Sequence, residues 1–510
     1  MLDLITLSGS HLADMAGCHS RDYESIIDRQ QQISRHSSSS SSSKTVISMA
    51  EVIRVLQEIH VSPPPSLPSQ DPQPLSFLDS VWLRGARVER LFFYDYPHPI
   101  SHFIDNHLPA FTESLSLTLL HFHPLAGTIR RSPLSDNQFE IAYTEGDFVG
   151  ITIAEFVGED FHNISGHHSR DLNKLRLLVP KPPKSSLDGE APPLSVQVTL
   201  FPNQGLCIGF TVNHAVCDGS GSMQFIRSWA AACRSAEGEI GISPPLLDRS
   251  IIVDSRGLGR KTIDIARKIR EIYPEKLKKQ GTVKSSSAAL VSGTYTLGKD
   301  QIARLKKQVQ RKTVEEGTPP FHMSTFVVTC AYVWRYVVKA RGYDDDDDRG
   351  VFFSCAVDWR QRMMPPIPSN YFGNCVGPCS TGLLKAGKIA GKDGFGVAAM
   401  EIGRSIDELK GKDVAVLLET AIDKFMERVE SVDHTPPLSV AGSPKLRVYE
   451  TDFGWGRPRK VEVTSIGDTG AMSLAESREE EGGVEIGLAL PEEVMEEFGK
   501  HFAGGLLDIF

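Results

Sequence analysis

Apolar positions along the chain fall into two rhythms, one of strand type and one of helix type. Residues 206–212 form an apolar, partly β-branched run of the length of a buried strand. Beyond it Phe225, Ile226, Trp229 and Ala230 recur at helical spacing. Residues 213–221 therefore make a strand-to-helix turn, loosened by Gly219 and Gly221. Strand patterns also mark 88–94, 139–143, 149–153, 194–200, 292–297, 351–357 and 484–490; at 194–200, Val196 and Val198 alternate with polar neighbours. Helical patterns mark 103–120, with Leu108, Phe111, Leu115, Leu119 and Leu120 on one face, and 299–312, which is basic. The run 326–338, broken by Thr329 and Arg335, reads as a buried helix, and Pro491 is expected at the first position of a last helix. Strands and helices mixed in this way predict an α/β fold.

The turn reads Asn213-His214-Ala215-Val216-Cys217-Asp218-Gly219-Ser220-Gly221. A histidine at the end of a buried strand, followed by small residues, has a fixed ring and room for a substrate. Its imidazole can take a proton from a hydroxyl at neutral pH. Asp218 can orient that ring, or face away and tie the loop to an arginine. The plainer alternative makes His214 a core histidine and Asp218 the N-cap of the following helix. Two ligands at this spacing make no zinc site, because no His, Cys or Asp cluster lies near them in sequence.

Two further stretches carry information: Tyr371-Phe372-Gly373-Asn374-Cys375 and Asp452-Phe453-Gly454-Trp455-Gly456. With the HxxxD at His214 and Asp218 they stand in the order found in the plant BAHD acyltransferases, which the chain resembles over roughly residues 49–510. The likeness extends to Ser114–Leu119 with His123-Pro124-Leu125-Ala126-Gly127, to the segment 324–332, and to Asp358-Trp359-Arg360. The YFGNC form resembles the branch that acylates sugars of anthocyanins and other phenolic glucosides. The resemblance implies two similar mixed-sheet domains of chloramphenicol-acetyltransferase type, with the active-site channel at their interface. It implies an acyl-CoA-dependent O-acyltransferase in which coenzyme A thioester is a substrate and no cofactor is bound permanently. Malonyl-CoA is the first donor it suggests, and hydroxycinnamoyl-CoA or acetyl-CoA with another alcohol the alternative. A fold that binds metabolites without catalysis is the reading from a different class.

For the aspartates the resemblance adds roles. Arg360, or failing it Arg362, is expected on Asp218, locking the turn, although the residues alone equally allow Arg360 at the surface. Asp452 can be a second acid or base, or its Gly-flanked aromatic turn can shape the coenzyme channel; the resemblance favours the supporting role. Cys217, three residues from His214, is expected to pack.

A chain of 510 residues with 40% hydrophobic and 23% charged positions suits two domains. Residues 1–48, with seven serines in a row at 37–43, read as a disordered extension ahead of a start at Met49. An N-terminal acyltransferase domain is expected at 49–240, a crossover at 241–290 and a C-terminal domain at 291–510. A net charge of −9 disfavours nucleic acid and anionic membrane as partners, leaving small-molecule substrates. Nothing in the sequence demands an oligomer, so a monomer is expected. Eight sparse cysteines without a CxxC pair suit reduced thiols in the cytoplasm, and no run reaches the roughly 18 apolar residues of a membrane span. His121 and His123 read as packing or capping residues beside a turn. Lys306 and Lys307 can be a solvated face or can meet coenzyme phosphates. The aspartates at 344–348 read as a solvated loop without the spacing of a calcium site. No GxSxG elbow, phosphate-binding GK[ST] loop or GxGxxG occurs, which removes support from serine hydrolysis, phosphoryl transfer and hydride transfer.

Overall fold

The strand Gly205–Asn213 is buried along its whole length and lies inside a six-stranded sheet. The sheet order is Ile53–Val61, Val149–Phe156, Leu194–Phe201, Gly205–Asn213, Arg87–Asp95 and Lys460–Val463. Only Val149–Phe156 and Leu194–Phe201 run parallel among these neighbours. This computed structural model describes residues 52–83, 87–134, 138–181, 191–235, 243–264, 289–411, 413–431 and 437–507. The extension expected at 1–48 and the rest of the 241–290 crossover lie outside them.

Helices cover both sheet faces, so a central strand need not alternate. Leu194–Phe201 is buried at every position, although its sequence alternates in polarity. On one face the helices Leu108–His121 and Gly219–Arg234 meet where Phe111 and Trp229 lie 4.5 Å apart, and Trp229 Nε1 donates to the Phe111 carbonyl at 3.1 Å. On the other face Leu91, Phe93, Phe161 and Phe201 form a smaller core.

The second sheet has seven strands, in the order Val376–Ser380, Phe353–Asp358, Leu438–Gly442, Met472–Glu476, Val484–Pro491, Leu290–Leu297 and Arg170–Asp171. The apolar helix Thr325–Ala340, capped by the Ser324 side chain on Val327 N, fills its core. Each sheet borrows a strand from the other half of the chain: Lys460–Val463 pairs with Arg87–Asp95, and Arg170–Asp171 pairs with Leu290–Leu297. At this crossing Arg170 binds Glu462, and Lys460 Nζ meets Glu485 Oε2 at 3.0 Å, all buried.

Three elements differ from the sequence pattern. The strand expected at 351–357 breaks at Phe352: Gly350–Val351 pairs with Leu384–Lys385 in a separate two-stranded sheet, and Phe353–Asp358 joins the seven-stranded one. The helix expected at 103–120 is two helices, Ile100–Asn106 and Leu108–His121, parted at His107. Pro109 has no N–H to give and sits in the first turn of the second helix, where that loss costs least. Pro491 ends the strand Val484–Pro491, and the last helix, Glu492–Leu507, begins after it. Among the described residues no helix is long and apolar enough to cross a membrane.

Candidate active site

The turn after Gly205–Asn213 is held by several segments of the chain. Asp218 caps the helix Gly219–Arg234, its Oδ1 accepting from Ser220 N at 3.0 Å and Gly221 N at 3.1 Å. The same carboxylate meets Arg360, with Nη1 to Oδ2 at 2.9 Å and Nη2 to Oδ1 at 3.1 Å, and Oδ2 also accepts from Cys375 N at 3.0 Å. Asp218 therefore faces away from the imidazole; the N-cap and the arginine tie coexist. Burial works to lower the Arg360 pKa, and Asp218 more than reverses it, so the guanidinium stays charged. Arg362 donates to the Asp358 carbonyl and does not reach Asp218.

Contact requires the glycine at 221 and leaves little room for a side chain at 219. A Cβ at Gly221 would lie 2.8 Å from Cys217 Cβ, and one at Gly219 would lie 3.2 Å from Leu446 Cδ1. Cys217 is buried, and burial first, then Asp218, pushes its thiol far up, so it is an unreactive packing group.

Residues 371–375 come from the second half and close over the turn. The Tyr371 carbonyl accepts from Arg360 Nη2 at 3.2 Å, and the Phe372 ring stands 5.2 Å from Phe122. The Gly373 carbonyl accepts from Asp218 N, and a Cβ at Gly373 would collide with Tyr371 Oη. Asn374 reaches the catalytic candidate itself. Its Nδ2 donates to the His214 carbonyl at 2.8 Å and to Asp79 Oδ1 at 2.9 Å, both acceptors only. That fixes the amide orientation, so Asn374 Oδ1 faces His214 Nδ1 at 3.1 Å and accepts its proton. The imidazole then carries its lone pair on Nε2. Trp82 stacks on the ring, with centroids 3.7 Å apart and planes 13° from parallel.

Sequence reasoning missed the anchor behind Asn374. Asp79, in the short helix Phe77–Ser80, binds Arg249 Nη1 through Oδ2 at 2.7 Å, and Arg249 Nη2 donates to the Val216 carbonyl at 2.6 Å. Arg249 lies in the 241–290 crossover. Ser76 and Asp79 form a capping box, a local pattern from which the helix was readable. Neither Arg249 nor Trp82 carried such a signal.

Asp452 is not brought to His214. Its Oδ1 accepts from Gly454 N at 2.7 Å and Gly456 N at 2.9 Å, and its carbonyl accepts from Arg234. Arg234 ends the 16-residue helix that begins at the turn, about 24 Å away at 1.5 Å per residue. The Asp452 loop turns through Gly454 at φ +107° and Gly456 at φ +86°. It thereby seats Phe453 5.3 Å from Trp229 and Trp455 5.7 Å from Tyr94. His123 is buried beside Tyr143, as a packing residue, and Lys306 Nζ donates to Thr325 Oγ1 at 3.0 Å. Among the described residues no group of three or more His, Cys, Asp or Glu side chains is placed to hold a metal ion.

A histidine with a fixed tautomer at the seam of two mixed-sheet halves is a site for general base catalysis, and comparison with known proteins makes it the site of a two-domain acyltransferase of chloramphenicol-acetyltransferase-like fold. The model of the Transferase family matches residues 53–504, and the chain belongs to this family, the BAHD acyltransferases. It is 37% identical over 440 residues to phenolic glucoside malonyltransferase 2 of Arabidopsis thaliana, covering 85% of this chain and 94% of that one. It is 34% identical over 470 residues to malonyl-coenzyme A:anthocyanin 3-O-glucoside-6''-O-malonyltransferase of Dahlia pinnata, covering 89% and 97%. The crystal structure of vinorine synthase matches with a TM-score of 0.62 at 22% identity, covering 87% of this chain and 96% of that one, and shows the fold.

Proposed function

We propose that this enzyme transfers malonyl from malonyl-CoA to a sugar hydroxyl of a phenolic, flavonoid or anthocyanin glucoside, with His214 as general base. The observation that carries the chemistry is the bond between His214 Nδ1 and Asn374 Oδ1 at 3.1 Å, which leaves Nε2 as the basic nitrogen. The names of the two malonyltransferases above support the donor and the acceptor class.

His214 Nε2 takes the proton of the acceptor hydroxyl as its oxygen attacks the thioester carbonyl carbon. Collapse of the tetrahedral intermediate breaks the C–S bond, and the imidazolium returns the proton to the departing thiolate. Ester and free coenzyme A result, with no acyl-enzyme. Asp218 and Arg360 hold the turn in place without touching the reacting atoms. The reading includes a monomer acting in the cytoplasm, with the acyl-CoA as substrate and no resident cofactor.

The test is turnover of malonyl-CoA and coumaroyl-CoA with a panel of phenolic and flavonoid glucosides, followed by mass spectrometry. A malonyl mass gain on a glucoside is expected. In His214→Ala, kcat should fall by about 10²–10⁴ while CoA affinity holds within a few-fold. Transfer from coumaroyl-CoA alone would overturn the donor, and CoA binding without transfer in the unaltered enzyme would favour a silent fold.

A further inference from the structure

Five lysine and arginine side chains are buried among the described residues: Arg90, Arg170, Arg249, Arg360 and Lys460. Four have a carboxylate oxygen within 3.0 Å, on Glu462, Asp79, Asp218 and Glu485 respectively. Arg90 has none within 4 Å among the described residues, although it is 5% exposed, and its Nε lacks any hydrogen-bond partner. A buried cation with no anion in contact is costly. A group supplied from outside the chain would resolve it.

Arg90 lines a cavity walled also by Leu446, Val448, Lys460 and Ser473 and by two glutamates, Glu462 and Glu485, each paired with its own cation. The cavity has a volume of about 20 Å³, more than the roughly 10–15 Å³ that one water needs. The cavity adjoins the catalytic turn, because Leu446, one of its walls, is the side chain that a Cβ on Gly219 would meet. Among the described residues no nearby carboxylate is in ion-pair contact with Arg90; burial lowers its pKa to about 10, and the more distant Glu476 only partly offsets that. Glu462 is held by Arg170, and Glu485 by Lys460 and Tyr449 Oη. Glu476 accepts from Tyr449 N through Oε1, its buried Oε2 is unpartnered, and burial raises its pKa.

We propose that Arg90 receives the free carboxylate of a dicarboxylic acyl thioester, so that it selects malonyl over neutral acyl donors. A malonyl carboxylate stands one methylene from the carbonyl that is attacked, so its receptor has to lie beside the catalytic turn. The inference rests on the malonyl-transfer reading above and names the group that enforces it.

The test uses the full chain with Arg90→Met, which fills the same space without charge, and Arg90→Lys, which keeps the charge. Two quantities are read: the ratio of kcat/KM for malonyl-CoA over acetyl-CoA, and the rise in Tm caused by free malonate with acetate as control. Loss of one charge-assisted hydrogen bond should lower the ratio about ten- to hundredfold in Arg90→Met, with partial recovery in Arg90→Lys. Malonate should raise the Tm of the unaltered chain and not that of Arg90→Met. An unchanged ratio in a chain that does transfer malonyl, or equal losses with both donors, would remove the carboxylate site and leave the donor reading standing. No malonyl transfer with Arg90-dependent stabilisation by malonate would keep the site and remove the donor. Neither transfer nor stabilisation would end both.

Discussion

Asn374 decides which nitrogen of His214 does the chemistry, and Asp79 with Arg249 decides where Asn374 sits. An imidazole held only by its neighbours in sequence would sample both tautomers; here an amide, itself clamped between two acceptors, selects one. Removing the carboxylate leaves Arg249 buried without its counter-ion, so Asp79→Leu should cost about 3–5 kcal/mol in chemical denaturation. The double variant Asp79→Leu with Arg249→Met should regain most of that stability, since paired removal of a buried ion pair is often close to neutral. Its kcat should nonetheless stay about 10–100-fold low with KM little changed, because Asn374 has lost its anchor. Recovery of kcat together with stability would show that the pair serves only the fold. His123 makes a separate prediction about pH. Burial lowers its pKa to about 4 from 6.5, the Leu120 carbonyl pulling the other way. A folded pKa below the unfolded one means that stability is full above about pH 6.5 and is lost as pH falls towards 4, by up to ~3 kcal/mol. His123→Gln should flatten stability across that window, measured by denaturation at several pH values.

The helix Gly219–Arg234 connects the two conspicuous motifs at its opposite ends, with Asp218 capping its start and Arg234 gripping the Asp452 loop at its finish. Asp452 therefore acts on an element, by accepting two backbone N–H groups in a loop with two left-handed glycines. Asp452→Asn keeps an oxygen for those groups and should retain kcat within about tenfold, whereas Asp452→Ala should lower stability by about 1–3 kcal/mol. A loss of 10² or more in kcat for Asp452→Asn, with Tm unchanged, would return this residue to acid–base chemistry. The strands and helices flanking His214 were legible because a buried strand and an amphipathic helix have different periods. The break at His107 was not, since the apolar stripe runs on from Phe103 to Phe111 across Pro109. Asp218, Arg360 and Asn374 were found by their motifs. Asp79 and Arg249 escaped because their partners lie 295 and 170 residues away, and no local period records a contact at that separation.

At the scale of the whole molecule, the exchange of strands makes the two halves interdependent. Lys460–Val463 completes the first sheet from a position late in the chain, and Arg170–Asp171 extends the second from a position early in it. Glu462, on the late strand, binds Arg170, on the early one, so the crossing is locked by charges as well as by backbone ladders. Burial works to raise the Glu462 pKa, and Arg170 and Lys460 more than offset it, leaving it below its ordinary value. A depressed carboxylate stabilises the fold above its unfolded pKa of about 4.3, and that contribution is lost as pH falls through the lower folded value. Glu462→Ala would strand Arg170 without its counter-ion and should cost about 3–5 kcal/mol at neutral pH. Because both sheets depend on the crossing, that loss should appear as one cooperative transition moved to lower temperature, read alike by fluorescence and circular dichroism. If the halves instead melted separately, with Glu462→Ala shifting only one of two transitions, the crossing would be a surface embellishment of independent domains. The seam on which His214 and Asn374 meet would then need another explanation for its rigidity.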